Sequence, residues 1–138
     1  MKPRLSHTFL TVHDQDVALD FYTRVIGLQV TADVEFFGMR WLTVHSPTLP
    51  EVSIGLLTPP PHLPSEDRAT LTELMAKGAL NGLIFTVDDC DAAFAELRDA
   101  GAQVSQEPTD QEYGVRDFAV RDPSGNEVRF SEPVAMPA

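Results

Sequence analysis

An internal repeat constrains this chain of 138 residues more than any other feature of its sequence. Shifted by 75 residues, TVHDQDVA at 11–18 matches TVDDCDAA at 86–93 at five of eight positions. Further along, a shift of 76 aligns VHSPTLPEV at 44–52 with VRDPSGNEV at 120–128, and Val, Pro, Glu and Val coincide. Agreement in the same order at separate places is typical of a duplicated structural unit.

Both halves of the repeat show the same order of secondary-structure signals. An alternating strand, HTFLTV or GLIFTV, is followed by an aspartate that can cap a helix and by an apolar stripe at helical spacing. A glycine ends each helix, and three strand-like segments follow. We therefore expect an α+β fold of two βαβββ modules, at residues 5–58 and 81–132, that form a concave mixed β-sheet with a helix on each outer face. A proline-rich connector with a short helix, at residues 59–80, joins them.

The two helix stripes make definite predictions about the core. The apolar spacing assigns these buried faces to Val17, Phe21, Tyr22 and Val25 in the first module, and to Cys90, Ala93, Phe94 and Leu97 in the second. Cys90 falls in the first turn of its helix, so it is either a thiol activated by the helix dipole or a small buried residue.

Composition excludes several classes of protein. A formal net charge of −11 without a basic stripe argues against nucleic-acid binding. No apolar run reaches the length that crosses a bilayer, and the first residues lack the apolar segment of a signal peptide. The single cysteine cannot form an internal disulfide, which suits a reducing compartment. We expect a cytoplasmic protein that binds neither nucleic acid nor a membrane.

Four segments together resemble the vicinal oxygen chelate superfamily: HTFLTVHDQDVALDFYTRVIGLQV, FTVDDCDAAFAELRDAGAQV, QEPTDQEYG and VRDPSGNEVRF. That superfamily includes glyoxalase I, extradiol dioxygenases and the bleomycin- and fosfomycin-resistance proteins. The resemblance covers nearly the whole chain outside the connector. It implies a trough that holds a small organic molecule, and a homodimer, because many resembling proteins are homodimers.

Metal-dependent members of this superfamily place ligands at four equivalent strand positions. The resemblance puts His7 at the first of these, and the shift of 75 puts Gly82 at its counterpart. Arg129 stands where the last strand has a glutamate, and its counterpart is Ser53, or Gly55 if the register slips by two. One imidazole, one hydroxyl and one guanidinium do not form a divalent-metal site, since a permanent cation repels the ion. We therefore expect neither a metal nor another cofactor.

Strand alternation predicts which side chains line the trough. If Val128 and Phe130 face the helices, Arg129 between them faces the trough. Gly82 has no side chain and leaves room for a ligand. The predicted ligand-binding residues are Phe9, Trp41, Ser53, Gly82, Tyr113 and Arg129, and the predicted catalytic residue, if there is one, is His7.

Two interpretations stay open for Arg129. Its guanidinium suits bidentate binding of an anionic ligand group. It can equally form a structural ion pair with a carboxylate; the candidates are Glu127, Asp117 and Glu51.

Alternatives also remain for three other side chains. His7 is either a general base or a polar residue that hydrogen-bonds at a strand end. Trp41 either stacks on a planar ligand or is buried between modules or at a dimer contact. Tyr113 either forms the lip of the pocket or packs on a surface turn.

The leading hypothesis is a metal-independent binding protein of the glyoxalase/bleomycin-resistance type that holds a small aromatic or anionic organic compound. The alternative is a metal-dependent lyase or ring-cleaving dioxygenase that uses His7 with a non-standard ligand. The candidates for that ligand are His45, Glu127 and Glu51. A metal-free enzyme with His7 as its base is a third hypothesis.

Overall fold

A computed structural model describes residues 1–133 as a duplicated βαβββ arrangement. The first module contains β1 (His7–Thr11), α1 (Gln15–Asp20, continued by a π-helical turn at Phe21–Val25), β2 (Gln29–Phe36), β3 (Met39–Ser46) and β4 (Leu49–Leu57). The connector contains α2 (Ser65–Ala76). The second module contains β5 (Gly82–Thr86), α3 (Cys90–Asp99), β6 (Gln103–Asp110), β7 (Val115–Arg121) and β8 (Glu127–Pro133). The predicted α+β fold is confirmed.

Each module forms its own four-stranded sheet with the same topology. The strand orders are β1-β4-β3-β2 and β5-β8-β7-β6. The first and last strands of each module pair in parallel, and the other neighbours are antiparallel. One face of each sheet packs on helices, and the opposite face is the one predicted to line a trough.

The helix boundaries follow the signals in the sequence. The carboxylates of Asp14 and Asp89 each accept a hydrogen bond from a backbone N–H three residues on, at 3.1 and 3.0 Å, and so cap α1 and α3. Gly27 and Gly101 follow the two helices with φ of 94° and 86°, a conformation that glycine adopts without strain. No helix within residues 1–133 is long and apolar enough to span a membrane.

The buried faces of the helices were predicted correctly at most positions, but the prediction that Val17 is buried is wrong. Val17 is 47% exposed, whereas Ala18 is buried. With Asp14 as the cap, the face that meets the sheet starts at Ala18 and continues at the third and fourth residues beyond it, which are Phe21 and Tyr22. A single core cluster joins both modules; it includes Leu10, Leu42, Leu56, Cys90, Leu97, Phe118, Val128 and Phe130.

The RDPSGNEV turn is a structural junction between the modules. Asp122 is buried and accepts hydrogen bonds from the backbone N–H of Ser124 at 2.8 Å and of Asn126 at 2.9 Å. The hydroxyl of Tyr22, from the first module, donates to the same carboxylate at 2.7 Å. The amide of Asn126 donates to the backbone carbonyl of Thr11 at 2.8 Å. This motif therefore has a structural role. It joins the two modules and supplies the hydrogen bonds that its buried polar groups need.

Candidate functional site

Four rings share the helix-free face of the first sheet. The ring of Trp41 lies 5.7 Å from Phe9 in an edge-to-face arrangement, 6.0 Å from His7 and 6.4 Å from Phe36, between centroids. Phe9 is 53% exposed and Phe36 is 43% exposed. We call His7, Phe9, Phe36 and Trp41 the aromatic platform. Trp41 is half-buried among these rings, so its face stands with theirs rather than in the core.

Gly55 permits the platform to form, and the sequence analysis did not select it. Gly55 lies opposite Phe9 in the parallel pairing of β1 with β4. A Cβ atom at Gly55 would stand 2.6 Å from Cδ1 of Phe9, closer than such atoms approach one another. The Phe9 ring therefore lies directly over the backbone of Gly55. A glycine within a strand is the signal that could have found it, because it marks a close approach.

The strand register corrects one assignment from the repeat. Ala119 of β7 lies opposite Arg129 of β8, and its repeat equivalent, Thr43 of β3, lies opposite Gly55 of β4. The counterpart of Arg129 is therefore Gly55, and the assignment to Ser53 is wrong. Ser53 is buried opposite His7 on β1.

The residues at the four ligand positions do not fit a divalent metal ion. They are His7, Gly55, Gly82 and Arg129: one imidazole, two residues without side chains and one permanent cation. Nδ1 of His7 is 2.9 Å from the hydroxyl of the adjacent Ser6. This contact matches the interpretation of His7 as a polar residue at a strand end.

The non-standard ligands do not complete a metal site either. Within the described 133 residues, no three or more His, Cys, Asp and Glu side chains are grouped so that they could hold a metal ion. Nδ1 of His45 is instead 2.8 Å from the hydroxyl of Thr31. Glu127 approaches Arg129 at 3.4 Å, so its carboxylate faces a cation of the protein.

A hydrogen-bonded network centred on Asp117 occupies the corresponding face of the second sheet. Asp117 is fully buried, and its Oδ1 accepts hydrogen bonds from the amides of Gln106 and Gln111, each at 2.9 Å. Its Oδ2 accepts from the hydroxyl of Tyr113 at 3.2 Å and lies 3.1 Å from Nη1 of Arg129. Burial raises the pKa of Asp117, but the hydrogen bonds from Gln111, Gln106 and Arg129 outweigh it, so the pKa is lowered.

Arg129 is thus engaged by its own module. Besides Asp117, its guanidinium donates to the side-chain carbonyl of Gln106 at 2.9 Å and to Glu127 at 3.4 Å. The structural ion pair considered from sequence is present with Asp117 and Glu127. Gln106 completes the network but was missed, since an isolated glutamine gives no motif in a sequence.

Other selected residues are placed as follows. Gly82 lies on β5 two residues before Ile84, which is 72% exposed on the same face. A Cβ atom at Gly82 would meet only the carbonyl oxygen of Glu127 within 4 Å, at 3.2 Å, so most of the space there is open. Tyr113 is 63% exposed despite its hydrogen bond. Cys90 is buried and burial raises its pKa, which favours the interpretation as a small core residue over an activated thiol.

Comparisons with known proteins agree with this architecture. Residues 4–130 match the family described as the Glyoxalase/Bleomycin resistance protein/Dioxygenase superfamily. The uncharacterized protein YurT of Bacillus subtilis (strain 168) is 31% identical over 102 residues, which cover 74% of this chain and 78% of YurT.

Two solved structures are similar over nearly their full length. The crystal structure of UcmS2 is 36% identical, with a TM-score of 0.88, covering 95% of this chain and 98% of UcmS2. TnmS3, an antibiotic binding protein from Streptomyces sp. CB03234, is 28% identical, with a TM-score of 0.76, covering 96% of this chain and 97% of TnmS3. From the repeat, the fold and these matches, the chain belongs to the glyoxalase/bleomycin resistance protein/dioxygenase superfamily.

Proposed function

We propose that this protein binds a small planar aromatic compound on the aromatic platform, and that it does so without a metal ion. The observation that carries the proposal is the group of partly exposed rings around Trp41. Covering aromatic surface with a planar ligand removes it from water and lowers the free energy, and the edge-to-face contact with Phe9 helps to hold the Trp41 ring in place for stacking.

The donor groups and the relatives support the same proposal. His7 is the one conventional metal donor at the four ligand positions, and Arg129 disfavours a cation there. TnmS3, which shares 28% identity, is described as an antibiotic binding protein. We infer that the ligands of this protein belong to the aromatic antibiotics or to compounds of similar shape.

A homodimer is part of the proposal. Phe9 is 53% exposed on the first sheet and Ile84 is 72% exposed on the second, so both helix-free faces present apolar side chains to solvent in a single chain. Covering such surface is favourable, and a second copy would cover it while closing the site over a ligand. We also propose a cytoplasmic location, which a single buried cysteine supports.

The experiment uses Trp41 as a built-in reporter, because it is the single tryptophan of the chain. Untagged protein is titrated with planar aromatic compounds, antibiotics among them, and Trp41 emission is followed with and without a chelator. We expect saturable quenching that the chelator does not change and that Phe9→Ala weakens. Leu49→Ala is the matched control, since Leu49 is 46% exposed but is not part of the platform.

Elemental analysis after incubation with nickel, zinc, iron and manganese distinguishes the metal-independent binding protein from the rival metal-dependent enzyme. Near-stoichiometric metal that is lost in His7→Ala, or binding that a chelator abolishes, would contradict the proposal. Either result would favour the lyase or dioxygenase.

A further inference from the structure

A cavity of about 880 Å³ adjoins the aromatic platform. It lies between the β2–β3 hairpin and the connector, at the end of the first sheet where β4 leaves it. Phe36 belongs to both the platform and the cavity, so one ligand of moderate size can span them. The side chains that matter most are Phe36, Phe37 and Met39 on the hairpin, Leu57 at the end of β4, and His62 and Arg68 on the connector.

Arg68 is the cation that this cavity offers to a ligand. Arg40 also lines the cavity, but its guanidinium is paired with Asp33 at 2.9 Å and with Asp16 at 2.7 Å. Among residues 1–133, no carboxylate lies within ion-pair distance of Arg68. Glu35 is the acidic side chain that residues 1–133 contribute to the lining; it stands opposite Arg40 in the β2–β3 pairing and so lies on the other face of the sheet from Phe36.

The hairpin wall is held in a conformation that costs free energy. Phe37 has φ of 52° and its side chain is fully exposed, while Gly38 beside it has φ of 72°. Two successive positive φ values make a tight hairpin turn in which asparagine and glycine are the favoured residues. A bulky aromatic residue there is strained, and strain of this kind concentrates at ligand-binding segments. The ring stands 5.8 Å from Phe36 and so extends the apolar wall of the cavity.

We propose that this cavity receives the acidic group of the aromatic ligand, and that Arg68 pairs with it. The inference rests on the proposed function, because it names the ligand class more closely: planar aromatic compounds that carry a carboxylate, sulfonate or phosphate. The aromatic part lies against Phe36 and Trp41, and the acid reaches the connector. Arg68 thereby takes the anion-binding role that the sequence suggested for Arg129, whose guanidinium is already held by Asp117.

Two fluorescent probes of similar shape test this. Anilinonaphthalene sulfonate carries an acidic group, and phenylnaphthylamine is its uncharged counterpart. Both are titrated into the wild type and into Arg68→Gln, Arg98→Gln and Phe9→Ala. Arg98→Gln is the matched control. Arg98 on α3 is exposed and is not part of the cavity lining, so this substitution removes the same charge outside the cavity.

We expect Arg68→Gln to weaken the sulfonate probe by up to about fivefold, the upper range for an ion pair of an exposed side chain such as Arg68. The same variant should leave phenylnaphthylamine unchanged, and Arg98→Gln should change neither probe. If Arg68→Gln has no effect while Phe9→Ala weakens both probes, the role of Arg68 is wrong and the proposed function stands. If Arg68→Gln and Arg98→Gln weaken the sulfonate probe equally, net charge rather than a site is responsible, and the inference is overturned. If neither probe binds the wild type saturably, the inference and the proposed function both fail.

Discussion

The guanidinium of Arg129 lies 3.1 Å from the carboxylate of Asp117, which is fully buried and also accepts hydrogen bonds from two glutamines and a tyrosine. A cation that looks available in the sequence is thus committed to stabilising a buried anion. Because a buried carboxylate without its partner is costly, Arg129 matters first for the stability of the second sheet.

Arg129→Ala should lower the free energy of unfolding at neutral pH by about 1–3 kcal/mol, because the buried carboxylate loses a charged donor. The pKa of Asp117 lies below its ordinary value in the folded protein, so its contribution is present above about pH 4 and is lost as the pH falls through the folded-state pKa. Removing Arg129 raises that pKa towards its ordinary value, so acidification should cost the variant less stability than the wild type, and the two stability curves should converge as the pH falls below about 4. Urea unfolding between about pH 3 and pH 7 measures this.

Arg116→Ala is the control for that experiment. Arg116 lies on β7 next to Asp117, but its partners Asp91 and Asp110 are exposed, so its removal should cost little at any pH. Parallel pH curves for the wild type and Arg129→Ala would show that Arg129 does not stabilise the carboxylate.

Gly55→Ala should weaken ligand binding strongly and lower the free energy of unfolding only a little. The new methyl group would meet the ring of Phe9, and since that ring is 53% exposed it can swing away at small cost. Its contact with Trp41 is then lost, so Trp41 emission should change in the unliganded protein. Gly82→Ala, where no aromatic ring is near, should leave that emission unchanged. Equal emission spectra for the wild type and Gly55→Ala would mean that Phe9 does not depend on Gly55.

Tyr22→Phe should destabilise the protein by about 1–2 kcal/mol without affecting binding, since it removes a buried hydrogen bond to Asp122 that lies away from the platform. Burial and the neighbouring Asp122 carboxylate raise the pKa of Tyr22. Its stabilising effect is therefore complete below the ordinary tyrosine pKa and declines as the pH rises above about 10.

Urea unfolding at increasing pH should show the wild type and Tyr22→Phe converging above that value. Tyr113→Phe is the control, because that hydroxyl is on an exposed side chain and its bond to Asp117 is longer, at 3.2 Å. A constant difference between the wild type and Tyr22→Phe up to the alkaline limit would contradict the prediction.

The fold was predictable because the repeat, the capping aspartates and the terminal glycines are each encoded in a few neighbouring residues. The register of β4 was not, because Val44 pairs with Ile54 in the first module whereas Val120 pairs with Val128 in the second. The first hairpin is longer by two residues and contains a bulge, so an alignment that matches both Pro and Glu places the strand in the wrong register.

The site was predictable only in part, and for a similar reason. Strand alternation correctly placed Phe9 and Trp41 on the same face of the first sheet, since it depends on local sequence. The network of Gln106 and Gln111 around Asp117 depends on where the β6–β7 loop and the strands β6, β7 and β8 converge, which no local pattern encodes.

Phe37→Asn should stabilise the protein and weaken ligand binding together. Asparagine tolerates the positive φ of 52° that strains phenylalanine, so the free energy of unfolding should rise by about 1 kcal/mol. The cavity loses part of its aromatic wall, and both fluorescent probes should bind less tightly. Val34→Asn is the control. Val34 is 51% exposed on β2, three residues before Phe37, and does not have a positive φ, so this substitution should not stabilise the protein. If the Phe37→Asn protein binds the probes as tightly as the wild type, the hairpin is not part of the site.

Ile84→Glu tests the dimer. Ile84 is 72% exposed in the middle of β5, and a charge there should prevent a second copy from covering this face. We expect the wild type to sediment as a dimer and the variant as a monomer, with Val30→Glu, at a site 46% exposed on β2, remaining dimeric. A dimer that survives Ile84→Glu would mean that the copies associate through another surface.

The affinity of the monomeric variant for the aromatic probes then decides how the site is built. If it falls, the partner contributes to the site, because Ile84 is on the second sheet and the platform is on the first; if it holds, one chain binds the ligand alone.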